Sequence, residues 1–196
     1  FVMYANIDRF KVKNSKFKIK ENLLDKWIIS ELQLLIKNVD EKLEKYDVYR
    51  AAKPIESFID NLSNWYIRRS RKRFWKSEND TDKKEAYETL HYVLVTLSKL
   101  MAPFTPFVAE EIYRNLQNPS FNFSPSKGEE DIFSVHLADF PMADEKLIDE
   151  DLNLEMTRVR NIISEGLQLR AQAKIKVRQP LSAACIKYNV SSMELK

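Results

Sequence analysis

The sequence predicts an all-α fold: a bundle of four to five long helices, with an irregular excursion and a short β-containing appendage at the C-terminal end. Three observations carry this expectation. Only two glycines, Gly128 and Gly166, occur in 196 residues. Apolar residues recur every three or four positions over long stretches, and the alternating β-branched runs that mark strands are few. A chain of this length suits one medium domain, or one domain with an appendage, and buries about 70% of the surface its unfolded form exposes.

The first helix is expected over residues 21–45, where Leu24, Ile28, Leu32, Leu35, Ile36, Val39 and Leu43 form an apolar stripe. A second begins near Asp47, a plausible N-cap, and runs to about residue 76. It passes Pro54, whose missing N–H either kinks the helix or marks a new first turn. The third spans about 82–100, with Asp80 and Thr81 as capping candidates. It stops at APFTPF, where Pro103 and Pro106 restart a short fourth helix through VAEEIYRNL. Residues 117–140 are rich in Pro, Ser and Asn with scattered Phe, and read as an irregular excursion wrapping the bundle. Helical spacing returns over about 144–169, through Ile148, Leu152, Met156, Val159, Ile163 and Leu167. KIKVR at 174–178 alternates basic and apolar residues, and with SAACIKY after Pro180 it reads as the start of a strand-containing unit at 171–196 that the chain does not complete.

Composition removes several function classes. The single cysteine, Cys185, cannot form an internal disulfide, and with only His91 and His136 beside it the chain lacks the ligands of a usual structural zinc site. No metal site is therefore expected, and the setting is expected to be reducing and cytoplasmic. Two glycines cannot build the glycine-rich turns that cradle phosphates in P-loop and dinucleotide-binding proteins. No apolar run reaches the roughly 18 residues of a membrane span, so no membrane partner is expected. The N-terminal FVMYANIDRF lacks the order of a signal peptide, and its start at Phe1 suggests a piece of something longer. The formal net charge is +3, from 32 basic and 29 acidic residues, so any polyanion signal must lie in the arrangement of charge.

That arrangement is uneven. NWYIRRSRKRFW, residues 64–75, places Arg68, Arg69, Arg71, Lys72 and Arg73 in six positions, between Trp65 and Trp75. On an ideal wheel of about 100° per residue, Ile55, Phe58, Ile59, Leu62, Trp65 and Tyr66 share a core sector. Arg69, Arg73 and Lys76 continue that sector, while Arg68, Arg71 and Lys72 project elsewhere. A buried unpaired cation is costly, so the core ends near Trp65, or acidic partners receive these side chains, or the helix meets an anion. In one reading the arginines lie at the bundle end and pair with carboxylates such as Glu110 and Glu111. In the other, guanidinium groups grip phosphates while flat aromatics stack on unpaired bases, as in the recognition of single-stranded RNA loops. A basic helix also suits duplex DNA or anionic lipid. Composition leaves these readings open.

The wording of the sequence goes further. FIDNLSNWYIRRSRKRFW (58–75), LMAPFTPFVAEEIYRNL (100–116), SVHLADFP (134–141) and AKIKVRQPL (173–181) resemble, in this order, the region that follows the catalytic core of isoleucyl-tRNA synthetases. APFTPFVAEEIY alone indicates the wider class I group for isoleucine, valine, leucine and methionine. NWYIRRSRKRFW and KIKVRQPL together select isoleucine.

The resemblance implies a helical bundle over 21–170 that receives the anticodon stem and loop of an isoleucine-accepting tRNA. It implies that 1–20 is a connector from the catalytic core of the same protein. It also implies tRNA contacts for Arg68, Arg69, Arg71, Lys72, Arg73 and Lys76, with Trp65 or Trp75 as stacking surfaces. Trp65 and Tyr66 are equally read as packing residues, and Trp75, off the core sector, as the better stacking candidate. Lys174, Lys176 and Arg178 form one face of the expected strand, as a second RNA contact or as charges that protect a strand edge.

The family's ATP-handling HIGH and KMSKS signatures do not occur, KNSKF at 13–17 reads as a solvated connector, and the editing insertion is absent. The full-length protein would use ATP with magnesium to attach isoleucine to its tRNA. This chain, expected to be a monomer without a cofactor of its own, would bind and position that tRNA. Rival readings are the same domain of a valyl, leucyl or methionyl enzyme, or a helical protein-interaction module with a basic face. No catalytic constellation emerges: His91 reads as a packing or surface residue, His136 as structural, Cys185 as a small buried residue, and Asp80–Asp82 and Asp144–Asp151 as caps and solvated faces.

Overall fold

The computed structural model describes residues 21–76, 80–117, 134–183 and 185, except for the side chains of Trp75, Lys76 and Asp80. The expected connector 1–20, most of the expected excursion and most of the region after Ala183 lie outside the described residues. The chain divides into two compact units, Phe1–Asn153 and Leu154–Lys196. The fold is all-α, and no strand occurs among the described residues.

Among the described residues the first unit holds four helices and the start of a fifth. Helix α1, Leu23–Glu44, starts where the Asn22 side chain accepts from the Leu24 amide at 2.9 Å. Trp27, Ile28, Leu32, Ile36 and Val39 are buried along it, each removing apolar surface worth about 1.5–3 kcal/mol. It ends with Tyr46 in the left-handed region, at φ 57. There the Asp47 amide reaches back to the Lys42 carbonyl and the Tyr46 amide to that of Leu43, a Schellman cap. Asp47 then caps the next helix, accepting from the Arg50 amide at 3.1 Å.

Helix α2 has three consecutive parts: an α-helical Val48–Asp60, a π-helical Asn61–Ile67 and an α-helical Arg68–Lys76. It runs through Pro54 without a new start. Helix α3, Asp80–Met101, takes the expected caps Asp80 and Thr81 into its own first turn. After the turn at 102–105, Pro106 occupies the first position of α4, Pro106–Gln117, where its missing N–H costs nothing. Helix α1 packs on α2 and α3, and α3 packs on α4 and on the last part of α2.

Of the expected excursion, residues 134–140 are described. Val135–Leu137 is a single 3-10 turn, and Val135 is buried with Ala109 and Tyr113 of α4. Glu110 fixes it there, accepting from the Val135 amide at 2.8 Å and the Ser134 hydroxyl at 3.1 Å.

Helix α5, Glu150–Gln172, begins six residues later than the apolar spacing indicates. Residues ahead of it form a 3-10 turn, Glu145–Leu147, held against α1 by two buried polar side chains. The Gln33 side-chain Oε1 accepts from the Asp144 amide at 2.9 Å, and the Ser30 hydroxyl accepts from the Asp149 amide at 2.8 Å. Asp149 then caps α5 through the Leu152 amide.

In the second unit α5 ends in another Schellman cap. The Ile175 amide donates to the Arg170 carbonyl and the Lys174 amide to that of Ala171, with Lys174 at φ 55. The edge strand expected over 174–178 is not formed: those residues close a helix and enter a turn, gathered by the Arg170 guanidinium on the carbonyls of Lys176 and Gln179. Cys185, expected to be buried, is exposed.

Candidate nucleic-acid interface

The local geometry of α2 decides where its cations point. An i→i+5 turn holds about one residue more than an α turn, so rows beyond it rotate back relative to an ideal wheel. The buried row is Phe58, Leu62, Tyr66, Ser70 and Phe74, each four residues from the last. On an ideal helix such a row drifts by about 40° per step, and the wide turn at Asn61–Ile67 takes up part of the drift. Ser70 therefore faces the interior, and Phe74 packs edge-on against Tyr87 of α3, ring centroids 5.1 Å apart. Arg69 and Ile59, assigned to the core sector by the ideal wheel, are exposed.

Arg73 is held differently from its neighbours. Its Nη1 and Nη2 donate to the two carboxylate oxygens of Asp25, at 2.8 and 3.0 Å, and its Nε donates to Asp82 at 2.9 Å. Asp25 is fully buried at the start of α1, Asp82 lies in the first turn of α3, and the Arg73 side chain is only 12% exposed. The Tyr66 hydroxyl completes the node, donating to Asp25 at 2.7 Å. Burial alone would lower the Arg73 pKa, but the hydrogen bonds to Asp25 and Asp82 outweigh it, so the guanidinium is held charged more firmly than usual. Burial, and then the Asp25 charge, push the Tyr66 phenol well above its ordinary value. Arg73 is thus an internal strut joining three helices, where the sequence grouped it with the RNA contacts.

The sequence contains the partners without marking them. Asp25 is an acid at the head of an otherwise apolar α1 stripe, and Asp82 read as a solvated cap. Glu110 and Glu111, expected to pair with the arginines of α2, instead serve α4 and its surroundings. Glu110 pairs with Arg114 at 2.8 Å while it anchors Val135, and Glu111 accepts from the Asn115 side chain.

Arg68, Arg69, Arg71 and Lys72 are exposed on the last part of α2. The Arg69 guanidinium lies over the Trp65 ring, 5.6 Å from its centroid, and Trp65 is half-buried beneath it. A cation over an indole within about 6 Å is held by the ring quadrupole, so Arg69 covers one face of the half-buried Trp65 ring and carries its charge there. Arg68, Arg69 and Lys72 have no carboxylate partner among the described residues. Trp75 and Lys76 belong to the last turn of α2, and their side chains lie outside the described residues. Lys174, Lys176 and Arg178 are exposed in the second unit.

The remaining candidates have structural places. His91 Nε2 lies 3.2 Å from the Leu116 carbonyl in the last turn of α4, and burial lowers its pKa despite that hydrogen bond. His136 is exposed, its amide capped by Ser134. Among the described residues no group of three or more His, Cys, Asp or Glu side chains is placed to hold a metal ion, and no helix is long and apolar enough to cross a membrane.

Comparison with known proteins shows the family. The family described as anticodon-binding domain of tRNA ligase matches residues 25–185. An isoleucine–tRNA ligase of Dehalococcoides mccartyi (strain ATCC BAA-2266 / KCTC 15142 / 195) is 52% identical over 182 residues, 93% of this chain and 17% of that protein. The isoleucine–tRNA ligase of Clostridium tetani is 43% identical over 95% of this chain, and isoleucine–tRNA ligase 2 of Bacillus cereus 42% identical over 99%. The chain spans 17% of the length of each of these relatives. The chain belongs to the family of anticodon-binding domains of tRNA ligases.

Proposed function

We propose that this chain is the part of an isoleucine–tRNA ligase that grips the anticodon stem and loop of isoleucine-accepting tRNA. The exposed end of α2 is its primary contact. One observation carries the reading: Arg68, Arg69 and Lys72 stand exposed without carboxylate partners among the described residues, Arg69 lies over the Trp65 ring, and the neighbouring Arg73 is consumed internally. Guanidinium groups not engaged by carboxylates, one of them lying over an indole, offer what a single-stranded RNA loop requires, phosphate clamps and a planar group on which a base can stack. Arg71 adds charge to the same stretch, Trp75 and Lys76 extend it by sequence, and Lys174, Lys176 and Arg178 supply a second, weaker contact from their own unit.

The identities to isoleucine–tRNA ligases support isoleucine over the valyl, leucyl and methionyl relatives. The full-length protein would join isoleucine to its tRNA at the expense of ATP with magnesium. No residue of this chain is assigned to that chemistry. The domain acts by holding the loop, so that the acceptor end reaches the catalytic core elsewhere in the protein, a positioning contribution. A monomer working in the cytoplasm completes the proposal.

A panel of tRNA transcripts tests it. The chain is expected to bind the isoleucine transcript more tightly than the valine, leucine and methionine ones, with affinity falling as salt rises. Equal binding to all transcripts, or to an unrelated acidic polymer, would remove the assignment. So would isoleucine-dependent ATP–pyrophosphate exchange by this chain alone.

A further inference from the structure

Between α1 and the first part of α2 lies an open groove of about 400 Å³. Leu34, Leu35 and Phe58 give it apolar lining, α1 adds the Glu31 carboxylate and the Asn38 amide, and α2 adds the Ser57 hydroxyl and, near its start, Arg50 and Lys53. Both cations are exposed, and the Arg50 guanidinium makes a loose contact with Asp47, at 3.5 Å.

The α2 wall is part of a longer row. Arg50, Pro54, Ser57 and Asn61 each precede a buried residue, Ala51, Ile55, Phe58 and Leu62 respectively. The next members of the same row, ahead of buried Tyr66 and Ser70, are Trp65 and Arg69. One face of α2 therefore carries cations at one end, a groove in the middle and the indole–guanidinium pair at the other. At 1.5 Å per residue the row from Arg50 to Arg69 is about 29 Å long.

Resting on the RNA reading of the basic face, we propose that this groove seats one unstacked base of the bound loop. A nucleobase is apolar on its faces, hydrogen-bonding at its edges and flanked by phosphates. The groove offers apolar lining, the Asn38 amide, Ser57 hydroxyl and Glu31 carboxylate as partners for a base edge, and two cations for the flanking phosphates. Its volume lies in the range of ordinary small-ligand pockets, roughly 300–1,000 Å³, enough for a nucleoside. The neighbouring base then stacks on the Arg69 guanidinium over Trp65, and Arg50 and Lys53 take the phosphates on the far side. An acidic peptide or a lipid headgroup would satisfy the two cations but would meet the Glu31 carboxylate and leave the apolar lining without a matching partner.

The test uses the whole chain, a synthetic anticodon stem-loop RNA, and copies of that RNA with one abasic site at each loop position in turn. Leu34→Trp fills the groove from an exposed wall position, and Ser57→Trp does so from the other side should the first variant fail to fold. For the parent protein, one abasic position is expected to weaken binding about tenfold, the scale of losing a held base. Leu34→Trp is expected to bind the intact RNA about as weakly as the parent binds that abasic copy, with no further loss from the abasic site. Arg50→Ala with Lys53→Ala should lower affinity several-fold and flatten its salt dependence.

Unchanged affinity in the filled variants, or an abasic penalty that persists in them, overturns the base seat. The basic-face reading survives that outcome if Arg68→Ala with Arg69→Ala still weakens binding. If the parent chain does not bind the stem-loop at all, both fail together.

Discussion

Replacing Arg73 with alanine removes the strut while leaving its partners in place. Asp25 has no exposure and loses two charge-assisted hydrogen bonds, keeping only the Tyr66 hydroxyl. Hydrogen bonds to charged groups contribute about 1.5–3 kcal/mol each, and stranding one member of a buried pair costs about 3–5 kcal/mol. The two approaches converge on about 4 kcal/mol. Asp82 is 36% exposed and regains water, so it adds little. For a protein of this size each kcal/mol lowers the melting temperature by about 2–4 °C, so Arg73→Ala should melt roughly 10 °C or more below the parent. The assay is urea unfolding followed by tryptophan fluorescence, with Trp27, fully buried two residues from Asp25, as the internal reporter. Arg69→Ala is the matched control: it removes an exposed cation over an indole, a loss of about 0.5–1 kcal/mol. If both variants shift the urea midpoint equally, Arg73 is no strut and the separation of inner from outer arginines fails.

Two further predictions follow from other contacts. Ser30→Ala removes the 2.8 Å acceptor of the Asp149 amide, a part-buried hydrogen bond, and should destabilise the first unit by about 0.5–1.5 kcal/mol. An unchanged urea midpoint would show that the 144–149 segment is not held there. His91 has a folded-state pKa below the ordinary 6.5, so the unfolded chain takes up its proton first. Its contribution to stability is present above pH 6.5 and lost as pH falls through the lowered value. His91→Gln keeps a donor for the Leu116 carbonyl and should flatten that part of the stability profile, whereas an unaltered acid slope would assign it to other groups.

The fold was legible where physics is local. Apolar spacing located the helices, Asp47 read correctly as a cap, and the two prolines marked the α3–α4 turn. What escaped was tertiary or geometric. The π turn at Asn61–Ile67 has no compositional mark, yet it moves Arg69 outward and brings Ser70 to the interior. Arg73 finds Asp25 across 48 residues of sequence, a pairing no window on α2 contains. The apolar spacing ahead of α5 looked helical, but the Ser30 and Gln33 side chains take the backbone amides of Asp149 and Asp144 and hold that stretch short of a helix. KIKVR alternated like a strand, whereas its first residue closes α5 in a left-handed turn. At the candidate interface the cluster of cations was visible in sequence, and its division into an inner strut and an outer face was not.

The most direct measurement is the salt dependence of binding between this chain and isoleucine tRNA, for the parent and for the triple variant Arg68→Ala, Arg69→Ala, Lys72→Ala. Each lost phosphate contact should reduce the slope of log affinity against log salt by about 0.7–0.9. The account predicts a slope reduced by about 2, with the thermal stability of the bundle nearly unchanged. A triple variant that keeps the parent's slope and affinity would contradict it, because the exposed face of α2 would then not be where the RNA is held.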